Sequence, residues 1–194
     1  MIAVIDYKTG NLCSVENALG RLGGEYVVTG DAGVIRSASH VILPGVGEAG
    51  QAMASLRGSG LVDVILGLTQ PVLGICIGMQ LMCRGSEEGD TRCMGIFDAD
   101  VVKMEPGQGL KVPHMGWDTI EKLDSPLFRD MEDGAYVYYV HSYAPQLSAH
   151  TVAVTDYGTL FSAALQRGNF FGTQFHPEKS GAVGEQILKN FLCK

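Results

Sequence analysis

Positive charge is scarce in this chain. Fourteen lysines and arginines face 21 aspartates and glutamates, a net charge of −7. That balance, with no lysine- or arginine-rich block, argues against broad nucleic-acid or anionic-membrane binding. Long apolar runs are also missing, so no segment reaches membrane-spanning length. The N-terminus, "MIAVIDYKTG", lacks the basic lead and apolar stretch of a signal peptide. No CxxC pair occurs among the five cysteines at 13, 76, 83, 93 and 193. Their odd number and irregular spacing indicate neither a zinc site nor a disulfide framework, and suit a reducing cytoplasm. Internal repeats, low-complexity tracts and Pro/Ser-rich linkers are absent, so residues 1–194 read as one domain.

What is present is glycine, 26 residues of it, in a chain that is 46% hydrophobic. Without a period, that much glycine signals tight turns and close backbone approaches. The first half alternates short apolar strands ("IAVIDY", "EYVVTG", "HVILPG", "PVLGIC") with helical stretches. "GNLCSVENALGRLGG" carries Leu12, Val15, Leu19 and Leu22 at helical spacing, and "EAGQAMASLRGSGLVDVILG" is helical with glycine interruptions. This is the pattern of a mostly parallel sheet flanked by helices, an α/β fold. The second half is richer in strands: "ADVVKM", "WDTIEKL", "YVYYVHSY", "TVAVTDY", "FSAALQRG" and "FFGTQFHP", closed by the helix "GAVGEQILKNFL". Connections there look more antiparallel.

Three segments carry chemistry. In "VLGICIGMQL" an apolar strand delivers Cys76 between Gly74 and Gly78, the form of a nucleophile elbow. Side chains two residues to either side would collide on such a strained turn, and glycines remove the clash. The helix that follows points its N-terminus at the sulfur and favours thiolate. A small buried cysteine is the plainer alternative. In "TQFHPEKSG", Pro177 holds His176 extended, and in an extended segment Glu178 points to the same side. Glu178 would orient the imidazole while its other nitrogen faces Cys76. In "ILPGVGEAG", the backbone N–H groups of Gly45, Val46 and Gly47, with that of Ile77, offer an oxyanion hole. The lysine and Ser/Thr of a phosphate-binding loop are missing. His141, inside "YVHSY", is the rival base, better suited to a structural role.

Pro44-Gly45-Val46-Gly47, Gly74-Ile75-Cys76-Ile77-Gly78-Met79-Gln80 and His176-Pro177-Glu178 resemble, in order and separation, the signature segments of class I (triad) glutamine amidotransferases. The resemblance covers the whole chain and implies a flavodoxin-like fold that cleaves the glutamine side-chain amide through a glutamyl thioester. It implies no cofactor and no metal. By the same resemblance Gln80, Glu88 and the backbone of Ser142 and Tyr143 hold the L-glutamine. "IDYKTGNLCSV", "KVPHMGWD", "YYVHSYA" and "HPEKSG" look like the branch serving histidine biosynthesis. That branch implies a heterodimer with a cyclase subunit built as a (β/α)8 barrel, which receives the ammonia. Asn11, Trp117 (in a loop-like stretch), Tyr138 and Lys179 are candidates for the partner face. The alternatives are a glutaminase subunit of another amidotransferase and a silent, partner-binding subunit. Departures from the pattern are few. Lys8 stands where glycine is expected, Asp118 where asparagine is, and Ile77 where leucine is; Cys83-Arg84-Gly85 is unusual after the elbow helix.

Overall fold

The computed structural model describes residues 1–8, 12–105, 107 and 109–194. Asn11, a candidate for the partner face, lies outside the described residues.

The first half builds a doubly wound core. Strand β1 (Ile2–Ile5) is followed by α1 (Leu12–Arg21), β2 (Tyr26–Thr29), α2 (Ala32–Ser37), β3 (His40–Leu43), α3 (Ala49–Gly58), α4 (Leu61–Leu66), β4 (Val72–Ile75) and α5 (Ile77–Met82). β1 and β4 are buried along their whole length, as strands covered on both faces must be. Gly60, in left-handed conformation, divides α3 from α4, the interruption that the glycines of this stretch foretell. Helix α2 goes beyond the sequence reading. It is one and a half turns long, and the Asp31 side chain caps it by accepting the amide of Val34 at 2.8 Å.

The second half runs β5 (Gly85–Ser86), β6 (Thr91–Arg92), β7 (Asp100–Lys103), β8 (His114–Ile120), β9 (Ala135–His141), β10 (Tyr143–Pro145), β11 (Thr151–Asp156), β12 (Leu160–Arg167), β13 (Phe170–Thr173) and α6 (Gly181–Leu192). Three of these strands join the central sheet, whose order is β11-β12-β13-β4-β3-β1-β2. Its β13, β4, β3, β1 and β2 are parallel, while β11 and β12 attach antiparallel at one edge. The order 2-1-3-4 is that of flavodoxin-like folds, in which chemistry gathers beyond the carboxyl ends of the strands. The expected mixed sheet and antiparallel second half are both present.

Two smaller sheets sit beside it: β10-β7-β5-β6, and a ribbon of β8 and β9. The ribbon corrects one expectation. Trp117 is not in a loop but in the middle of β8, paired with Tyr138. Pairing with β9 over seven residues outweighs Pro113 and Gly116, which break strands locally. The closing helix α6 buries Ile187, Leu188 and Phe191, with Val183 packed at the edge of the core.

Candidate active site

Three strand ends converge. β4 ends at Ile75 and leads into Cys76, which adopts φ 52° and ψ −110°, a conformation that side chains avoid. The surroundings hold it there. Its amide donates to Thr173 O on the adjacent β13 at 2.7 Å, and its carbonyl accepts from Gln80 N of α5 at 3.0 Å. The flanking glycines are required by contact. A Cβ on Gly74 would lie 2.7 Å from Met79 N, and one on Gly78 would overlap the Leu43 carbonyl of β3. The elbow is thus jammed between its own helix and the neighbouring strand, and glycine is the residue that fits.

β3 delivers Pro44–Gly47. Tyr7, buried at the end of β1, donates its hydroxyl to Pro44 O at 2.8 Å. A Cβ on Gly45 would sit 2.8 Å from Gly78 N, Ile77 Cβ and Tyr7 Oη. Gly45 therefore serves to bring this turn against the elbow, whereas Val46 and Gly47 line the open space. Gly47 has φ +99°.

β13 delivers the third piece. His176 is extended, as the following proline predicts. Its Nδ1 lies 2.8 Å from Glu178 Oε1, the predicted contact, reached by a different path. Residues Pro177–Lys179 form a 3₁₀ turn, not an extended segment, and the turn folds Glu178 back onto the ring. The backbone of His176 is clamped as well. Its amide donates to Tyr138 O at 2.9 Å, its carbonyl accepts from Ser180 Oγ at 2.7 Å, and the Tyr138 amide donates to that same Oγ at 3.0 Å.

These pieces enclose a cavity of about 360 Å³. Its lining includes Val46, Gly47, Cys76, Ile77, Gln80 and Glu88, with Ser142, Tyr143 and His176 on the other segments. Val46, Gly47 and Ile77 of the expected oxyanion hole and the four residues expected around the glutamine are therefore in one place, whereas Gly45, also expected at the oxyanion hole, is outside the lining. Glu178 stands behind His176, outside the lining. Pro113, Val140 and His141 also line the cavity, which the sequence does not suggest.

Electrostatics separate the two histidines. Burial alone would lower His176, but the adjacent Cys76 sulfur and the Glu178 carboxylate outweigh it and raise it to about 10. Nε2 is buried and has no partner of ordinary hydrogen-bond geometry among the described residues, and the sulfur beside it acts through its charge and a looser hydrogen bond. His141 goes the other way. Burial lowers it to about 3, against a hydrogen bond in which Nδ1–H donates to Tyr143 O at 2.9 Å. A ring that stays neutral and spends its proton on a carbonyl has a structural part, as its place in the strand suggests.

Glu88 is half-buried, and its Oε2 accepts the amide of Ala49 at 2.8 Å, so it is a held carboxylate rather than a solvated one. Trp117 and Tyr138 meet edge to face on the ribbon with centroids 6.0 Å apart, and Met115, Trp117 and Tyr136 are exposed. Lys179 is half-buried in the 3₁₀ turn beside the site. Lys8 takes φ 65°, the left-handed region glycine would occupy at ease. Asp118 has an internal partner, His114 Nε2 at 3.3 Å.

Sequence reasoning missed Gln174. It is fully buried, accepts from Gln80 and donates to the Cys76 sulfur. Its position two residues before His176 is the available signal, since alternate residues of a strand share a face.

A strained nucleophile elbow, a paired imidazole and carboxylate, and a glycine turn at the ends of a flavodoxin-like sheet define a triad amidase. The family model described as "Glutamine amidotransferase class-I" matches residues 3–194, and the chain belongs to that family. A Bacteroides fragilis protein named imidazole glycerol phosphate synthase subunit HisH is 56% identical over 192 residues, covering 98% of each chain. A Legionella pneumophila protein named imidazole glycerol phosphate synthase subunit HisH 2 is 48% identical over 193 residues, 99% of this chain and 97% of that one. Among solved structures, a glutamine amidotransferase of Thermotoga maritima superposes with a TM-score of 0.67. It shares 20% identity, with 99% of this chain and 82% of that one covered.

Proposed function

We propose that this chain is the glutaminase subunit of an imidazole glycerol phosphate synthase, one glutamine amidotransferase domain over residues 1–194. The observation that carries the reading is Cys76 at φ 52° on an elbow that opens into the same cavity as a carboxylate-paired His176.

The Cys76 thiolate attacks the side-chain amide carbon of L-glutamine. N–H groups of Val46, Gly47 and Ile77 receive the developing oxyanion, each donor worth about 3 kcal/mol in such sites. Ile77 opens α5, so its amide belongs to the turn that has no intrahelical acceptor. As the carbon–nitrogen bond breaks, His176 gives a proton to the departing ammonia. It then takes one from water, whose oxygen cleaves the glutamyl thioester to glutamate and restores the thiolate. Glu178 fixes the ring and stabilises its charged form. Gln80, Glu88 and the backbone of Ser142 and Tyr143 hold the amino-acid end of the substrate.

Ammonia passes to a (β/α)8-barrel cyclase subunit for synthesis of imidazole glycerol phosphate and aminoimidazole carboxamide ribotide in histidine biosynthesis. Enclosure matters because free ammonia would be protonated by water and lost as a nucleophile. The exposed aromatic ribbon supports a docking role for Trp117 and Tyr138, with Lys179 as a further contact and Asn11 as a contact proposed on the family resemblance alone. We place the reaction in the cytoplasm, where free thiols, Cys76 among them, stay reduced.

The test mixes the chain with a barrel-type cyclase and follows glutamate release from glutamine, with and without the cyclase's ribulosyl ligand. Ligand-stimulated release that Cys76→Ala abolishes is expected. Release unchanged by Cys76→Ala overturns the reading.

A further inference from the structure

Beneath the nucleophile runs a buried chain of amides that the triad does not use. Gln80 lies one helical turn after Cys76 on α5, and Gln174 follows directly on β13, whose Thr173 is level with Ile75 of β4. Both side chains are almost entirely buried. Gln80 Nε2 donates to Tyr143 O at 2.9 Å and to Gln174 Oε1 at 2.9 Å, and Gln174 Nε2 lies 3.6 Å from Cys76 Sγ.

The direction of this chain follows from chemistry. An amide oxygen and nitrogen look alike in shape, so orientation has to come from partners. The carbonyl of Tyr143 can only accept. It therefore forces the nitrogen of Gln80 toward itself, and that nitrogen's second hydrogen forces the oxygen of Gln174 toward Gln80. What remains to face the sulfur is the Gln174 nitrogen, a donor. His141 Nδ1 donates to the same Tyr143 carbonyl and holds it from another side.

Two fully buried amides cost free energy relative to apolar side chains of equal volume. The pair is not a closed structural clamp either, because Gln80 Oε1 has no partner among the described residues. The one contact that gives the arrangement a chemical product is the last, an N–H aimed at the sulfur.

We propose that Gln174 is a further catalytic residue, which donates a hydrogen bond to the Cys76 thiolate and holds it charged, with Gln80 and the Tyr143 carbonyl as its positioning groups. The inference rests on the reading of Cys76 as nucleophile. It divides the work at the sulfur. His176 must give up and regain a proton during turnover, whereas an amide donor keeps its proton throughout and stabilises the thiolate at every stage when it is present. Among the described residues, the other titratable groups around the sulfur are His176 with Glu178 behind it, and His141, Glu88 and Tyr143 in the cavity lining.

The test is iodoacetamide labelling of Cys76, mapped by mass spectrometry of the peptide that carries it, from about pH 6 to about pH 10. Gln174→Met keeps the volume and removes the donor. Its Cys76 labelling at the acidic end falls about tenfold, the loss of one hydrogen bond to a charged group. The deficit closes or reverses at the alkaline end, because a thiolate without a donor is the better nucleophile. Gln174→Glu keeps the oxygen that faces Gln80 and replaces the donor by an acceptor of the thiol proton, and it shows the same pattern. In glutamine turnover both variants lower kcat more than they change KM. Labelling equal to wild type across the range overturns the proposal, and so does a loss that is uniform with pH, the mark of a packing defect. Should neither variant melt cooperatively, the wild type decides. The Gln174 side-chain amide resonance moves with pH in step with Cys76 labelling, and a resonance that stands still overturns the proposal. Wild-type protein that labels at the exposed Cys13 and Cys193 but never at Cys76 overturns the nucleophile assignment instead.

Discussion

Replacing Gly78 by alanine tests the elbow at its tightest point. The added methyl would overlap the Leu43 carbonyl oxygen and sit 2.9 Å from its carbon. Ordinary carbon–oxygen contacts begin at about 3.3 Å, so one backbone must move by roughly 1 Å or more. β3 cannot retreat, because Ile42 is paired with β1 on one side and β4 on the other, and Leu43 is paired with Gly74 of β4. α5 cannot retreat, because Cys76 is bonded to Thr173 before the helix begins. Overpacking of this kind costs about 1–3 kcal/mol. The shift falls between Cys76 and the Val46–Gly47 turn, and a 1 Å misplacement of reacting groups costs about 100-fold in rate. Urea unfolding followed by circular dichroism should show a lower midpoint with an unchanged slope. Glutamate release with the cyclase and its ligand should fall about 100-fold or more. Gly58→Ala, at the end of α3 with nothing within 4 Å of the new Cβ, is the control, and it should be neutral or stabilising by about 0.4–1 kcal/mol. Wild-type stability and turnover in Gly78→Ala would refute the steric argument.

Glu178→Gln keeps a group against His176 but removes the charge that helps raise it, and should lower kcat by about 10²–10⁴-fold in steady-state glutaminase assays. His176→Ala should abolish turnover while His141→Asn only weakens it; the reverse order in the same assay would exchange their roles. Stability should fall on the acid side. His141 is held neutral down to about 3, well below an unfolded histidine near 6.5, so the unfolded chain binds the extra proton between those values. Urea midpoints measured from pH 7 to pH 4 should drop, and less so in His141→Asn. His176 acts in the opposite window. Its contribution is complete below about pH 6.5 and is lost as pH rises through about 10, so His176→Asn should flatten the alkaline limb of the same curve.

Much of this site is legible in the sequence because its parts are local. Gly74 and Gly78 around Cys76 announce a turn too crowded for side chains, and the backbone at Cys76 bears that out. The alternation of apolar strands and helices announces the parallel sheet. His176 and Glu178 read as a pair from their spacing, and they are one, although a 3₁₀ turn rather than strand geometry joins them. What is illegible depends on distant residues. Nothing near Tyr7 says that its hydroxyl braces Pro44, 37 positions away. Gln174 meets Gln80 across 94 residues, and local pattern carries no trace of that. Trp117 opens the strand-like run "WDTIEKL" yet follows Pro113 and Gly116 and so looks loop-like; the pairing with β9, a tertiary fact, extends the strand back through it to His114.

Tyr138 is bonded through both its amide and its carbonyl to the segment from His176 to Ser180, so the outer ribbon and the loop that presents the imidazole are stitched at two points. Neither can fray alone. Hydrogen–deuterium exchange at the amides of Tyr138 and His176 should proceed at one common rate, as a single cooperative unit, and a bulky label tethered to the solvent side of β9 should slow or quicken both together.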